Sequence, residues 1–186
     1  MSARTGRTRD VIDNWGSTPE ERDQRYPCDE VLPEPEQVLF RAVSVDAPPA
    51  VVFRWLCQLK LAPYSYDLVD NRGRRSPQHL VPGVDELAVG ERIALIFDLV
   101  SFARDVHVTI GLRGHPAFGD VAISYVVAPA GSGAFRLVAK VVLVPPAGVV
   151  GAVMRRVLPA GDLVMMRRQL LNLKALAEDG VSASWP

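Results

Sequence analysis

From Val38 onward the hydrophobic and polar positions fall into two regular periods, and before Val38 into neither. Phe40, Ala42 and Ser44 alternate with Arg41, Val43 and Val45, a period of two that predicts a strand. Asp46-Ala47-Pro48-Pro49 then offers a cap and a proline start for a helix. Val52, Trp55, Leu56 and Leu59 follow at helical spacing and form one apolar face. A second short helix is expected across Ser65 to Asn71, and residues 73–83 read as loop. Four apolar runs come next, at 91–101, 104–112, 119–128 and 134–144, joined by pieces such as Arg113-Gly114-His115-Pro116 and Ala130-Gly131-Ser132-Gly133. Runs of that length with short connections predict an antiparallel meander. The chain closes with a helical segment from about Val149, expected to break or kink at Pro159-Ala160-Gly161 and to continue from Asp162 to Glu178. Leu163, Met166, Leu170, Leu173 and Ala177 make its stripe. The layout is α+β, a curved antiparallel sheet wrapped around a long C-terminal helix.

Strand parity separates the two faces of that sheet. One parity gives Leu95, Phe97 and Leu99, then Val106, Val108, Ile110 and Leu112, then Val121, Ile123, Tyr125 and Val127, then Phe135, Leu137, Ala139, Val141 and Leu143. The other holds Asp98, His107, Thr109, Ser124, Arg136 and Lys140 among small apolar residues. A sheet with one dry and one wet face divides in this way, so the first set is expected to face the helix and the second the solvent. The concave lining then carries Tyr125 as its one hydroxyl. That lining suits a greasy or aromatic ligand better than acid–base chemistry, which needs a positioned group of tunable pKa.

Charge changes the picture of the N-terminal part. The chain of 186 residues has 21 basic and 21 acidic residues, which gives no footprint for a polyanion, and nucleic-acid binding is not expected. Residues 1–37 hold nine acids against five arginines, a net of −4, leaving +4 for the remainder. We read 1–37 as an arm, 38–180 as one domain and 181–186 as a tail. In the arm, Thr18-Pro19-Glu20-Glu21 reads as a capping box, so one short helix is expected to about Arg25. Trp15 would anchor an otherwise extended segment. Much of the opposing charge, Arg155, Arg156, Arg167, Arg168 and Lys174, sits on the terminal helical segment, which suggests that the arm lies against it. Beside Val149, Val150 and Val153 those cations also fit peripheral contact with anionic lipid, although a solvated face is the more frequent reading.

Chemistry-bearing residues are sparse. Cys28 and Cys57 are too few for a disulfide framework and no His/Cys spacing suits zinc, so reduced thiols, a cytoplasmic setting and neither metal nor cofactor are expected. No apolar leader opens the chain, and the uncharged stretch 141–154 carries Pro145, Pro146, Gly148 and Gly151 and is shorter than the ~20 residues that cross a membrane. A hairpin turn at Phe102-Ala103 would place Asp98 opposite His107, and the next turn would place His107 opposite Ser124. Such a row has the residue types of a hydrolytic triad but no nucleophile elbow, and a solvated cross-strand row is the plainer reading. Tyr64, Tyr66 and Asp67 follow the first helix, as ligand-orienting groups or as core anchors and a cap. Met154, Met165 and Met166 read as an adaptable pocket wall or an ordinary stripe. Cys57 reads as a small core residue, and His79 and His115 sit in loops.

The element order, together with Ser44-Val45-Asp46-Ala47-Pro48 leading into Val52-Phe53-Arg54-Trp55-Leu56, resembles the SRPBCC or START-like superfamily, the helix-grip fold of the birch pollen allergen and of polyketide cyclases. Pro63-Tyr64-Ser65-Tyr66-Asp67, Val89-Gly90-Glu91 and Asp162 through Leu170 are similar to an actinobacterial group of that superfamily whose function is unassigned. The resemblance covers roughly 38–178 and extends to Trp15 through Glu20 and Pro27-Cys28-Asp29 in the arm. It implies a cavity between sheet and terminal helix. Trp55, Phe97, Val108, Ile123, Tyr125, Leu137, Met166 and Leu170 would line it, with Tyr64, Tyr66 and Asp67 closing one end. The expected function is binding of a hydrophobic or aromatic small molecule, in transport or sequestration. The alternatives are a polyketide cyclase, dehydratase or hydrolase acting on such a ligand, and an interaction protein whose cavity is filled.

Overall fold

A computed structural model describes residues 9–66, 75–131 and 134–182, with side chains as far as residue 180. Three short helices come first: α1 (9–14), α2 (Pro19–Arg22) and α3 (Cys28–Val31). Then follow β1 (Gln37–Val45) and α4 (Pro49–Cys57), which runs into a 3₁₀ turn at Gln58–Lys60. The meander is β2 (Arg92–Ile93), β3 (Phe97–Ala103), β4 (His107–His115), β5 (Gly119–Pro129) and β6 (Phe135–Val144), and α5 (Gly148–Ser182) ends the chain. The strands form one curved, open antiparallel sheet in the order β1-β6-β5-β4-β3-β2, with β1 paired to the last strand of the meander. The α+β fold expected from the sequence is the one observed.

Two details of the meander differ from the sequence pattern. The run 91–101 is divided, because Ala94 and Leu95 take left-handed φ values of 47° and 72° and fold β2 back onto β3. The next hairpin closes across Ala103 and His107, with Asp105 at a φ of 61°, and not at Phe102-Ala103. Asp46 supplies no cap to α4. Its N–H donates to Glu178 Oε1 at 2.7 Å, which ties the start of α4 to the far end of α5.

The long helix passes through Pro159 without the expected break. A proline inside a helix removes the N–H that would reach the carbonyl four residues earlier, here that of Arg155. Gln37 of β1 replaces it, donating from Nε2 to the Arg155 carbonyl at 2.9 Å. Arg41, also on β1, donates from Nη2 to the Pro159 carbonyl at 3.2 Å. Polar side chains of the edge strand thus satisfy the helix where its own ladder fails.

The main core lies where the first parity set meets the helices. Leu99, Val108, Ile110, Ile123, Leu137 and Leu143 of the sheet are buried against Val52, Trp55, Leu56 and Leu59 and against Met166, Leu170, Leu173 and Ala177 of α5. The opposite face is not solvated as its composition suggests. Tyr26, Cys28 and Leu32 of the arm lie over Phe40, Ala42, Ala122, Val138 and Val142 in a second core. Beneath it Ser124 accepts the Cys28 N–H at 2.8 Å and shares a hydrogen bond of 2.8 Å with Thr109. Lys140 pairs with Asp29 at 2.7 Å and lies over the rings of Tyr26 and Phe40, while Arg136 pairs with Glu21 at 2.7 Å. The reason lies in the small apolar residues between the polar ones: Ala42 and Ala122 leave room for a further layer.

The arm therefore lies chiefly on the convex sheet face, and its acids neutralise β6 more than the terminal helix. Among the described residues before β1, Glu36, bound to Arg155 at 2.7 Å, and Trp15, 5.5 Å beneath the Arg167 guanidinium, reach α5. The Thr18–Glu21 capping box forms as expected, but α2 is a single turn that stops short of Arg25. Just before it, Asn14 and Trp15 bridge Phe40 and Arg41 in parallel and cover the free edge of β1. Gly16 makes this approach feasible: its φ is +75°, and a Cβ there would stand 2.1 Å from the Ala42 carbonyl oxygen. Gly16→Ala is expected to cost at least about 2 kcal/mol in urea unfolding and to accelerate hydrogen exchange at the Cys28 amide. An unchanged midpoint and unchanged protection would refute the clamped-arm account.

Candidate functional site

The layer between the concave face and α5 collects most of the residues expected to line a cavity. Trp55 projects from α4, Phe97, Val108, Ile123, Tyr125 and Leu137 from the sheet, and Met166 and Leu170 from α5. All belong to one apolar cluster, with Phe97 at its partly exposed margin. Tyr64 joins them, its ring edge-on to Trp55 with centroids 5.9 Å apart. Tyr66 is 42% exposed, and Asp67 and the helix expected across Ser65 to Asn71 lie wholly or mainly outside the described residues. Met154 and Met165 are half-buried beside the stripe.

Polar groups enter this layer at a few fixed points, three of which the sequence reading missed. Gln58, wholly buried, donates from Nε2 to the Tyr64 hydroxyl and, at 3.1 Å, to the His79 carbonyl, while its Oε1 accepts the Val81 N–H at 2.7 Å. The Tyr64 hydroxyl donates onward to the Pro77 carbonyl at 2.9 Å. From α5, Asn172 Nδ2 donates to the Tyr64 carbonyl at 2.8 Å, and Gln169 Nε2 donates to the Pro63 carbonyl at 2.6 Å. These amides hold Tyr64 at a φ of 56°, a left-handed conformation that a tyrosine adopts only under constraint. The available signal was an amide inside an apolar stripe: Gln169 sits between Met166 and Leu170, where a polar residue needs a partner.

Tyr125, mid-strand on β5, donates its hydroxyl to Gln169 Oε1 at 2.8 Å. Burial, reinforced by the nearby Asp162 carboxylate, raises its phenol well above the ordinary range. The buried Cys57 thiol is pushed up to about 12, mainly by desolvation. Trp55 differs from both. Its indole N–H is buried and has no acceptor among the described residues.

Asp98, His107 and Ser124 do not form a row. Asp98 stands opposite Gly111, His107 opposite Ala103 and Val126, and Ser124 opposite Thr109 under the arm. His107, its pKa lowered by burial, lies 3.5 Å from Ser101 and is two residues out of register with Ser124, whose hydroxyl bonds Thr109 instead. His115 stacks on Phe118 and accepts the Ala117 and Phe118 N–H groups, and the His79 carbonyl accepts from Gln58. Among the described residues no group of three His, Cys, Asp or Glu could hold a metal ion.

At the other end of the helix a cleft of about 760 Å³ opens between α1, the start of β1 and α5. Arg9, Asp13, Glu36, Gln37, Arg155 and Arg156 surround it over a floor that includes Ile12, Val38, Leu39 and Pro159. None of the expected lining residues touches it. Behind it sits a buried ion pair: Arg41 is wholly buried, its Nη2 2.8 Å from Asp162 Oδ2, while Nη1 donates to the carbonyls of Asp13 at 2.9 Å and Phe40 at 2.7 Å.

The sheet order, with β1 closing against β6 and one long helix lying across the concave face, decides the architecture. The fold is the helix grip. Solved helix-grip structures match over most of the chain. The Zhui aromatase/cyclase from Streptomyces sp. R1128 is 16% identical with a TM-score of 0.51, over 81% of this chain and 99% of that one. A hypothetical protein of Helicobacter pylori is 12% identical with a TM-score of 0.52, over 82% of this chain and 95% of that one. At such identities the likeness concerns the fold. No family model matches the sequence, and no curated protein matches it.

Within this helix grip the Asp162 carboxylate is held at a cost to its charged form. Burial raises its carboxyl from an ordinary 3.8 to about 6, against the lowering effect of Arg41. Because the folded pKa lies above the unfolded one, the associated stability is complete below about pH 3.8 and is lost as pH rises through 6. Relative to Asp162→Asn, the native chain is expected to lose up to about 3 kcal/mol of unfolding free energy between pH 4 and pH 7. A difference that stays flat over that range, or grows in the native chain's favour, would contradict this assignment.

Proposed function

We propose that the protein binds a largely apolar small molecule with one hydrogen-bond acceptor between the concave sheet face and α5. The observation that carries this reading is the Trp55 indole N–H, buried in an apolar wall without an acceptor among the described residues. An unpaired buried donor costs about 1–3 kcal/mol, which a ligand carbonyl or hydroxyl would remove on binding. The surrounding Phe97, Val108, Ile123, Leu137 and Leu170 favour rings or alkyl chains over polar groups. Tyr64 and Tyr125 are held by amides from the 3₁₀ turn after α4 and from α5, so the walls are braced before a ligand arrives.

Binding is favoured over catalysis on the chemistry of the same groups. Ring closure, dehydration or hydrolysis needs a general acid or base near the working pH. In this layer the Tyr125 phenol and the Cys57 thiol are both driven upward by burial, and Asp162, whose carboxyl is raised to about 6, is tied to Arg41 behind the cleft. Aromatic polyketides are the natural first probes, given the aromatase/cyclase of similar fold, with fatty acids beside them. Native mass spectrometry of the purified protein is expected to show a co-purified mass of a few hundred daltons or, with a probe added, a one-to-one complex. The same probe should raise the melting temperature, and Trp55→Phe should weaken binding about five- to thirtyfold while leaving the unliganded melting temperature within a few degrees. The reading fails if no probe binds, or if Trp55→Phe binds as tightly as the native chain.

A further inference from the structure

The first half of α5 carries an apolar stripe on its outward side, away from both cores. Val149 is 81% exposed, and Val150, Val153, Val157 and Val164 are each close to half exposed. At 3.6 residues per turn these five valines and Ala160 fall within an arc of about 100°, over a length of about 22 Å. The inward side of the same stretch is already used: Gly151 is buried against the Pro146 carbonyl, and Leu158 packs on the main core. The stripe is therefore left over after the fold has met its own needs, and it is larger and more continuous than the scattered valines that ordinary surfaces carry.

Its frame is cationic. Arg156 flanks the stripe, and Arg167 and Arg168 close its C-terminal end. Between Gly148 and Arg168 no exposed position of α5 is acidic, Asp162 being turned in to Arg41 and Glu36 being bound to Arg155 on the flank. A second copy of the chain is a poor occupant, because it would bring the same arginines toward one another with no carboxylate between them. A specific protein partner finds little to recognise in the middle, where Val157, Ala160, Gly161 and Val164 offer no side-chain hydrogen-bonding group. A bilayer of anionic lipid asks only for apolar burial and basic flanks, and the stripe supplies both.

We infer that this face of α5 docks the protein on an anionic membrane surface, with the valines in the headgroup–acyl boundary and the arginines on lipid phosphates. The docking is peripheral: no helix among the described residues is long and apolar enough to cross a membrane. It is independent of whether the interior holds a ligand.

Co-sedimentation of the full chain with vesicles tests it, using pure phosphatidylcholine and an equal mixture of phosphatidylcholine and phosphatidylglycerol. The expected result is binding to the mixed vesicles at least tenfold tighter than to the neutral ones. Val153→Asp with Val157→Asp should reduce that binding at least tenfold, and Arg156→Glu with Arg168→Glu comparably. These positions are exposed, so the variants should keep the native melting temperature, and a variant that does not is replaced by Val153→Ser with Val157→Ser. Absence of binding to the mixed vesicles, or equal binding by the valine variants, overturns the inference. So does a concentration-dependent dimer in vesicle-free light scattering that the valine variants abolish, since the stripe would then belong to a second copy.

Discussion

The guanidinium of Arg41 is the point at which the separate parts of this molecule meet. It lies on the edge strand β1, wholly buried, and reaches the Asp13 carbonyl at the end of α1, the Pro159 carbonyl within α5 and the Asp162 carboxylate one turn further on. A buried cation must be surrounded by acceptors, because its desolvation otherwise exceeds anything packing returns. That demand fixes three elements at once. The arm is drawn over the edge of the sheet, α5 is held at the proline where its own hydrogen bonding lapses, and Gln37 completes the repair from the same strand. The cost appears at Asp162, whose carboxyl remains raised even beside its partner.

With β1 and α5 fixed in this way, the sheet is left with two buried faces of different character. The concave face is apolar and meets α4 and α5, with amides at Gln58, Gln169 and Asn172 controlling the few polar contacts. The convex face is polar and apolar by turns, and the arm matches it residue for residue, Asp29 to Lys140, Glu21 to Arg136 and the Cys28 N–H to Ser124. Ser124, the nucleophile type in the row that looked most like chemistry, is thereby consumed in holding the arm. What is left for function is the apolar interior with an unpaired indole N–H, and the valine face of α5 that neither core covers.

Much of this was legible in the chain. The stripe Met166, Leu170, Leu173 and Ala177 announced the inner face of α5, and the alternation in β3 to β6 separated the concave lining correctly, because both follow from the period of the backbone alone. The pairing of individual residues did not follow. The β3–β4 turn is formed by residues 104–106 with Asp105 in a left-handed conformation, and nothing in an Ala-Arg-Asp-Val stretch identifies it as a turn in the way an Asn-Gly pair does. Misplacing that turn brought Asp98 opposite His107, a pairing that the observed register forbids.

The amino-acid sequence by itself determined which elements form and which side of each is apolar, since those properties depend on neighbours a few positions away. It also determined the charge division between arm and domain. Only the tertiary structure decided where that charge is used, because Glu21 and Asp29 meet β6 across more than a hundred residues of chain. It decided equally that Pro159 leaves α5 intact, since the donor missing at the Arg155 carbonyl comes from Gln37, 118 positions from Arg155. Long-range polar satisfaction of this kind has no periodic signature: any of several glutamines or arginines would read the same until the backbone brings one of them within 3 Å of the group that lacks a partner.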